Sequence, residues 1–301
     1  MRVTNKFGLP EFLAEPAKEA YRTKCDYSVT ELVRPPQITR LSKIHKDQLE
    51  VDISDQLWIL LGRAVHDRIG ARAKLNHDVT KKVHVEEQLS TKVGEQILAG
   101  TPDMVEVYQI DGQTHATIYD FKVTSVWSFV LGDKPEWETQ LRLYQLLVRE
   151  AYSVPFENIT LKICAILRDW TGQRARREPD YPQLPYHEVE VATISRDDVL
   201  TMAKERIAAI EDGTLCNETD RWQRETTFAV MKEGRKTAVK VFPNSAEATE
   251  MVTRLGGPHY IEERPNNWNR CEQYCPVSKF CNQYQEHVAE MVTTNMDEIG
   301  L

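Results

Sequence analysis

The stretch Gly100–Lys122, GTPDMVEVYQIDGQTHATIYDFK, decides the fold of this 301-residue chain. Two runs of β-forming residues flank Asp111-Gly112, a dipeptide that accepts the positive φ angles of a two-residue hairpin turn. With such a turn Ile110 faces Gln113, and stepping outward along the ladder sets Asp103 directly across from Asp120. Strand side chains alternate between faces, so Lys122 points to the same side as Asp120. Two carboxylates would then lie roughly 5 Å apart with a lysine beside them, and like charges placed opposite each other destabilise a sheet. A divalent cation is the natural compensation.

Outward from the hairpin, Val83–Leu89 (VHVEEQL) reads as a strand leading to a second at Gln96–Leu98. On the other side comes a linker with Trp127 and Trp137, then a helix over Glu136–Tyr152 and a strand over Ile159–Leu167. In that helix Gln140 and Tyr144 are four apart and project from one face, while Leu143, Leu146 and Leu147 suit the core side. Cys164, within the strand, reads as a buried small hydrophobe. Earlier, Asp52–Lys74 reads as an amphipathic helix with Leu57, Leu61, Val65 and Ile69 at helical spacing, and Gly62 and His66 on a different face. A lone helical histidine is ordinarily a packing residue unless a site lies nearby. The alternation of strands and helices predicts an α/β fold with a central mixed sheet flanked by helices.

Three segments follow. Residues 1–26 form an arm with one helical stretch, EFLAEPAKEAYR; residues 27–215 form the core; residues 216–301 form a C-terminal hairpin and helical segment that carries cysteines and is expected to pack on the core. Ser28 or Thr30 caps a short helix that stops before Pro35-Pro36. Arg34, Arg40, Lys43, His45 and Lys46 beyond it make either a solvated loop or a phosphate-contacting patch. Arg174, Arg176 and Arg177 sit in a polar loop, and a helix over 195–213 ends at Gly213. TFAVMKEGRKTAVKVF is a second hairpin turning at Glu233-Gly234, followed by a short helix, SAEATEMVTRLGG.

Composition narrows the function. Hydrophobic residues make up 41% and charged residues 28%, ordinary for a globular chain. A net charge of -8 and a pI near 5.6 argue against a passive nucleic-acid coat, which needs broad positive charge. An enzyme that gathers carboxylates around metal ions is compatible with that balance. The apolar runs LWILLG and LYQLLV are far shorter than a membrane span. The start, MRVTNKFGLPEF, lacks the apolar core of a secretory signal, so the expected location is cytoplasmic with no membrane partner. Six cysteines in such a chain point to thiols or metal ligands rather than a disulfide scaffold.

Asp103, Asp120 and Lys122 facing one way suit phosphodiester hydrolysis. Carboxylates are hard ligands for Mg²⁺ or Mn²⁺. A lysine ammonium beside the attacking water can orient it or stabilise developing charge. Gly-x-x-x-His (Gly62–His66), Gly-Thr-Pro-Asp (100–103), Asp-Phe-Lys (120–122) and Gln-x-x-x-Tyr (140–144) occur in an order that resembles the RecB-like branch of the PD-(D/E)xK nuclease superfamily. CRISPR-associated RecB-like exonucleases and many phage exonucleases belong to that branch. The resemblance covers roughly residues 27–165 and the cysteine region. It implies a restriction-endonuclease-like core and a metal-dependent DNA exonuclease acting on ends or single strands, alongside a recombination or strand-annealing protein. It implies metal ligation by His66, Asp103, Asp120 and the Phe121 carbonyl, with Lys122 as the catalytic lysine. Gln140 and Tyr144 would position the DNA strand. Glu86 resembles an acid found near such sites. A non-catalytic DNA-binding subunit keeping the same fold is the alternative.

Cys271, Cys275 and Cys281 form a second constellation, separated by three and five residues. In the family a comparable trio plus one upstream cysteine binds a four-iron four-sulfur cluster. Here the first gap is one residue longer, and the upstream cysteine is Cys25, ten residues ahead of Pro35. Zinc with a fourth ligand from His259, His287 or Cys25, a cluster with Cys25, and a site that binds nothing all remain open.

Overall fold

The computed structural model describes residues 2–13, 24–75, 80–130 and 134–299, with side chains to 291. Most of the stretch EFLAEPAKEAYR lies outside the described residues. The chain divides into two compact units. One comprises residues 1–40 and 46–213, the other residues 41–45 and 214–301.

In the first unit, apart from the end of α2, the elements run β1 (Arg2–Thr4), β2 (Tyr27–Ser28), α1 (Val29–Val33), α2 (Pro36–Ile44), β3 (Glu50–Asp52), α3 (Ile53–Leu75), β4 (Lys81–Val85), β5 (Leu89–Val93), β6 (Gln96–Gly100), β7 (Met104–Ile110) and β8 (Gln113–Thr124). They continue through α4 (Val126–Val130), α5 (Pro135–Tyr152), β9 (Ile159–Leu167), α6 (Gly172–Ala175), β10 (Tyr186–Val191) and α7 (Arg196–Asp212). Ser28 caps α1 in a capping box with Glu31, and Gly213 at φ 71° ends α7. The central sheet is five-stranded, in the order β10-β9-β8-β7-β4. Its β8–β9 pair is parallel and its other pairs are antiparallel, so the expected mixed α/β architecture is present. A parallel pair needs a long crossover, and α5 supplies it.

The hairpin between β7 and β8 has the expected register: Ile110 pairs with Gln113, and Met104 pairs with Tyr119. Asp111 (φ 50°) and Gly112 (φ 78°) are both left-handed, as a type I′ turn requires. VHVEEQL, expected as one strand, is broken. β4 ends at Val85, Glu86 takes φ 48°, and β5 joins a separate three-stranded sheet with β2 and β6. Glu86 reverses the chain at the point where its N–H donates to the Asp103 carbonyl at 3.1 Å.

The two sheet faces are covered by different helices. Ala116, Ile118, Leu161 and Ile163 pack with Leu141, Leu143, Leu146 and Leu147 of α5 in the main core. Met104, Phe121 and Cys164 pack on the other face with Ile69 and Ala73 of α3. Cys164 is buried there, as expected. Gly100 lies where α5 crosses β6: a Cβ on it would meet side-chain atoms of Tyr144, Val29 and Leu147 at 2.8–2.9 Å. The apolar stripe expected on α3 is only partly buried, and Leu61 is exposed. Among the described residues no helix is long and apolar enough to cross a membrane.

The second unit holds α8 (Glu218–Arg221), β11 (Gln223–Arg224), β12 (Thr227–Lys232), β13 (Lys240–Phe242), α9 (Ser245–Leu255), β14 (His259–Arg264), β15 (Asn267–Trp268), α10 (Asn269–Gln273) and α11 (Asn282–Ile299). The second hairpin forms, with Phe228 opposite Phe242 and Val230 opposite Lys240. Its connection spans residues 233–239 rather than a tight turn at Glu233-Gly234. Beyond Gly234, which takes φ 73°, the chain runs through Arg235 and Lys236 before pairing resumes.

Candidate active site

Asp103, one residue ahead of β7, is fixed from two sides. Its Oδ2 accepts the Phe121 N–H at 2.7 Å, and its backbone carbonyl accepts the Glu86 N–H. Asp120 and Lys122 share the β8 face that looks toward α5. Lys122 Nζ lies 2.7 Å from Asp120 Oδ2 and donates to Gln140 Oε1 at 3.0 Å. Gln140 Nε2 in turn donates to the Tyr144 hydroxyl at 3.1 Å. Across the sheet edge, His66 Nε2 lies 2.9 Å from the Phe121 carbonyl oxygen, and its Nδ1 lies 3.5 Å from Asp103 Oδ1. Because a carbonyl can only accept, Nε2 carries the proton in this arrangement.

The electrostatics follow from burial. Asp120 is 1% exposed, and desolvation pushes its carboxyl up to about 6 against the pull of Lys122, with Asp103 pushing the same way as burial. Neither Asp120 oxygen has a hydrogen bond in proper alignment; the lysine is in ion-pair contact only. The hydrogen bond to Asp103 holds the His66 imidazolium up, partly opposed by burial. This is a site where a carboxylate is kept poorly solvated, and such an arrangement favours a further cation.

Among the described residues no three His, Cys, Asp or Glu side chains are gathered tightly enough to enclose a metal by themselves. Mg²⁺, however, is commonly held by one or two carboxylates with the rest of its shell from water and substrate phosphates. Asp120 with its unaligned oxygens, Asp103, the Phe121 carbonyl and the His66 imidazole are a hard, oxygen-rich set that fits Mg²⁺ or Mn²⁺.

Other residues fall in different places. Tyr144 is 4% exposed and packs over Gly100, so it reaches the site through Gln140. Glu86 contributes its backbone to the Asp103 corner while its side chain is exposed.

In the second unit, Cys271, Cys275 and Cys281 are joined by Cys216, which sequence reasoning missed. The Cys216 N–H donates to Gln283 Oε1 at 3.2 Å, and Gln283 Nε2 donates back to the Cys216 carbonyl at 2.9 Å. Gln283 is two residues beyond Cys281, so Cys216 is tied to the start of α11. Burial pushes the Cys216 thiol up to about 12, with Asp220 and the other three cysteines adding to it. Burial likewise pushes Cys271 up to about 11, with Cys275 and Cys281 adding. The Cys275 thiol is also raised by burial, opposed by hydrogen bonds from the Val277 and Ser278 backbone N–H groups. Amides aimed at a sulfur favour a thiolate. Cys25 belongs to the first unit. His287 stacks on Trp268 at 3.9 Å, and the His259 Nδ1 bonds the Gly256 carbonyl. The one signal for Cys216 in the sequence was its position at the very start of the C-terminal segment.

The model of the PD-(D/E)XK nuclease superfamily matches residues 39–282. No curated protein matches. Among solved structures, the crystal structure of SSO0001 is similar at 17% identity and a TM-score of 0.40, covering 63% of this chain and 79% of that one. The family match runs from within α2 to the start of α11 and takes in His66, both hairpin acids, Lys122 and Cys216, Cys271, Cys275 and Cys281. This chain belongs to the PD-(D/E)XK nuclease superfamily.

Proposed function

We propose that the protein is a metal-dependent deoxyribonuclease of the RecB-like branch, an exonuclease that hydrolyses phosphodiesters at DNA ends or in single strands. The observation that carries this reading is the buried Asp120 in contact with Lys122, beside Asp103 and the His66–Phe121 carbonyl pair. Asp103, Asp120, His66 and the Phe121 carbonyl would hold Mg²⁺ or Mn²⁺. The bound cation would neutralise phosphate charge and lower the pKa of water. Lys122 places a positive charge beside the position of attack, where it orients water and offsets charge developing on the phosphate. Gln140, braced by Tyr144, holds the ammonium in place. The test is cleavage of end-labelled single- and double-stranded DNA with Mn²⁺ by wild type, Asp120→Ala and Lys122→Ala. Both substitutions are expected to abolish cleavage; undiminished cleavage by both would sink the assignment. A role in recombination beside a strand-annealing protein accompanies this branch assignment.

The four cysteines enter the same proposal as ligands of a thiophilic metal, an iron–sulfur cluster or zinc, although as placed they are not drawn together tightly enough to enclose one. Four-thiolate sets suit both. Cys216 is the fourth ligand in this reading, because Cys271, Cys281 and Cys275 are near enough to act on its thiol. Anaerobic purification followed by iron, sulfide and zinc analysis distinguishes the two. A metal-free protein of full stability would remove the site from the proposal.

A further inference from the structure

Trp58 sits near the N-terminus of α3 and is 61% exposed, with Ile59 and Leu61 exposed beside it. Trp58, Gly62 and His66 are spaced by four and share one helix face, which places Trp58 about 12 Å along the axis from the histidine. Between them the helix surface is bare, since a Cβ on Gly62 would meet nothing within 4 Å. The Arg168 guanidinium lies 4.2 Å from the Trp58 ring centroid. Arg168 follows the end of β9, and its N–H donates to the Thr124 carbonyl at 2.9 Å. The pair therefore stands at the end of β8, just past Lys122. Among the described residues no carboxylate pairs with Arg168, whereas the nearby Arg174 is paired with Glu178 at 2.6 Å.

A single exposed indole is ordinary, but Trp58 with Ile59 and Leu61 makes an exposed apolar group, the kind of surface that marks a contact site. An indole backed on its other side by an unneutralised arginine is chemically suited to a base with its phosphate. Aromatic faces hold unpaired bases regardless of sequence, and an adjacent arginine adds cation–π and phosphate attraction. The spacing to His66 is the length of roughly three stacked nucleotides. Inside a duplex each base face is already stacked on its neighbour and only the terminal pair is open, so the platform favours an unpaired strand, whose successive bases can leave the stack.

We propose that Trp58, backed by Arg168, is a stacking platform for an unpaired base of the strand entering the Asp103–Asp120–Lys122 site, so that the enzyme selects single-stranded or frayed DNA ends. This rests on the nuclease reading, and the experiment separates the two. Binding of fluorescein-labelled oligo-dT and of a blunt duplex of equal length is measured by anisotropy in the cleavage-silent Lys122→Ala protein, with and without Trp58→Ala or Trp58→Phe. Trp58→Ala is expected to weaken oligo-dT binding about tenfold, equivalent to about 1.4 kcal/mol. Trp58→Phe should restore most of it, and duplex affinity should change less than about twofold. An equal loss on both DNAs, no loss on oligo-dT, or no oligo-dT binding by the parent overturns the platform. Oligo-dT binding that depends on Trp58, in a protein whose wild type cleaves no DNA with Mn²⁺, retains the platform and overturns the nuclease reading instead.

Discussion

Replacing Asp120 with asparagine should make the metal-free protein more stable as the pH rises. In the fold this carboxyl titrates at about 6 against an ordinary value of 3.8. A tenfold change in proton affinity between the folded and unfolded chain corresponds to about 1.36 kcal/mol, so the buried charge costs about 3 kcal/mol once fully formed. The sign follows from the direction. A raised folded-state pKa contributes stability that is present below 3.8 and lost as pH rises through about 6. Asparagine keeps the shape and cannot titrate. The stability gap, Asp120→Asn minus wild type, should therefore widen by about 2 kcal/mol between about pH 4 and about pH 8, since part of the effect is already present at pH 4. Constant effects of the amide cancel in that difference. Urea unfolding in EDTA across this range measures it. Saturating Mn²⁺ should then narrow the gap at high pH, because a cation bound to the native carboxylate stabilises wild type by about 2.7 kcal/mol at one hundred times its Kd. A gap that stays flat or shrinks with rising pH in EDTA would mean that the carboxylate is well solvated or fully paired, with no buried charge left for a cation to offset.

Gln140→Ala removes the anchor of Lys122 and should lower kcat by roughly tenfold to a hundredfold, the range seen for outer-shell partners, with DNA affinity little changed; steady-state cleavage assays would show the split. Gly100→Ala forces a methyl against Tyr144, Val29 and Leu147 and should cost about 1–3 kcal/mol in denaturant unfolding. Cleavage and Mn²⁺ affinity should both fall as the pH drops through about 6, because His66 and Asp120 each hold a proton more tightly than usual; the half-saturating Mn²⁺ concentration measured against pH reports this, and an unchanged value would refute it. Cys216→Ser should lower the bound metal per chain, whereas Cys25→Ser should leave it at the wild-type level by elemental analysis.

The hairpin was legible because local chemistry governs it: Asp111-Gly112 allows only a narrow set of turns, and the turn fixes every pair above it. His66, Gln140 and Lys122 could be placed on their elements from periodicity alone. The break at Glu86 could not be foreseen, since glutamate carries no turn preference and its left-handed backbone is held by a bond to Asp103, a contact set by the tertiary fold. The partial exposure of α3 was hidden for the same kind of reason: Leu61 shares its helical stripe with Ile69 and Ala73, but only the C-terminal part of that stripe packs on the sheet. The burial of Tyr144 was hidden likewise, because it depends on the room that the distant Gly100 leaves. Cys216 escaped because 54 residues separate it from Cys271, and nothing local marks which distant thiol completes a group.

The C-terminal unit is not one continuous piece of chain. Residues 41–45 belong to it although 46–213 do not, and the His45 ring lies flat on Phe280 at 4.0 Å. A gene fragment beginning at residue 214 would encode the cysteines but leave Phe280 without the ring that covers it. Transplanting this unit onto another nuclease would therefore require two splice points, so its inheritance is tied to that of the core, and its presence in a relative should imply a histidine or another flat ring at the end of α2.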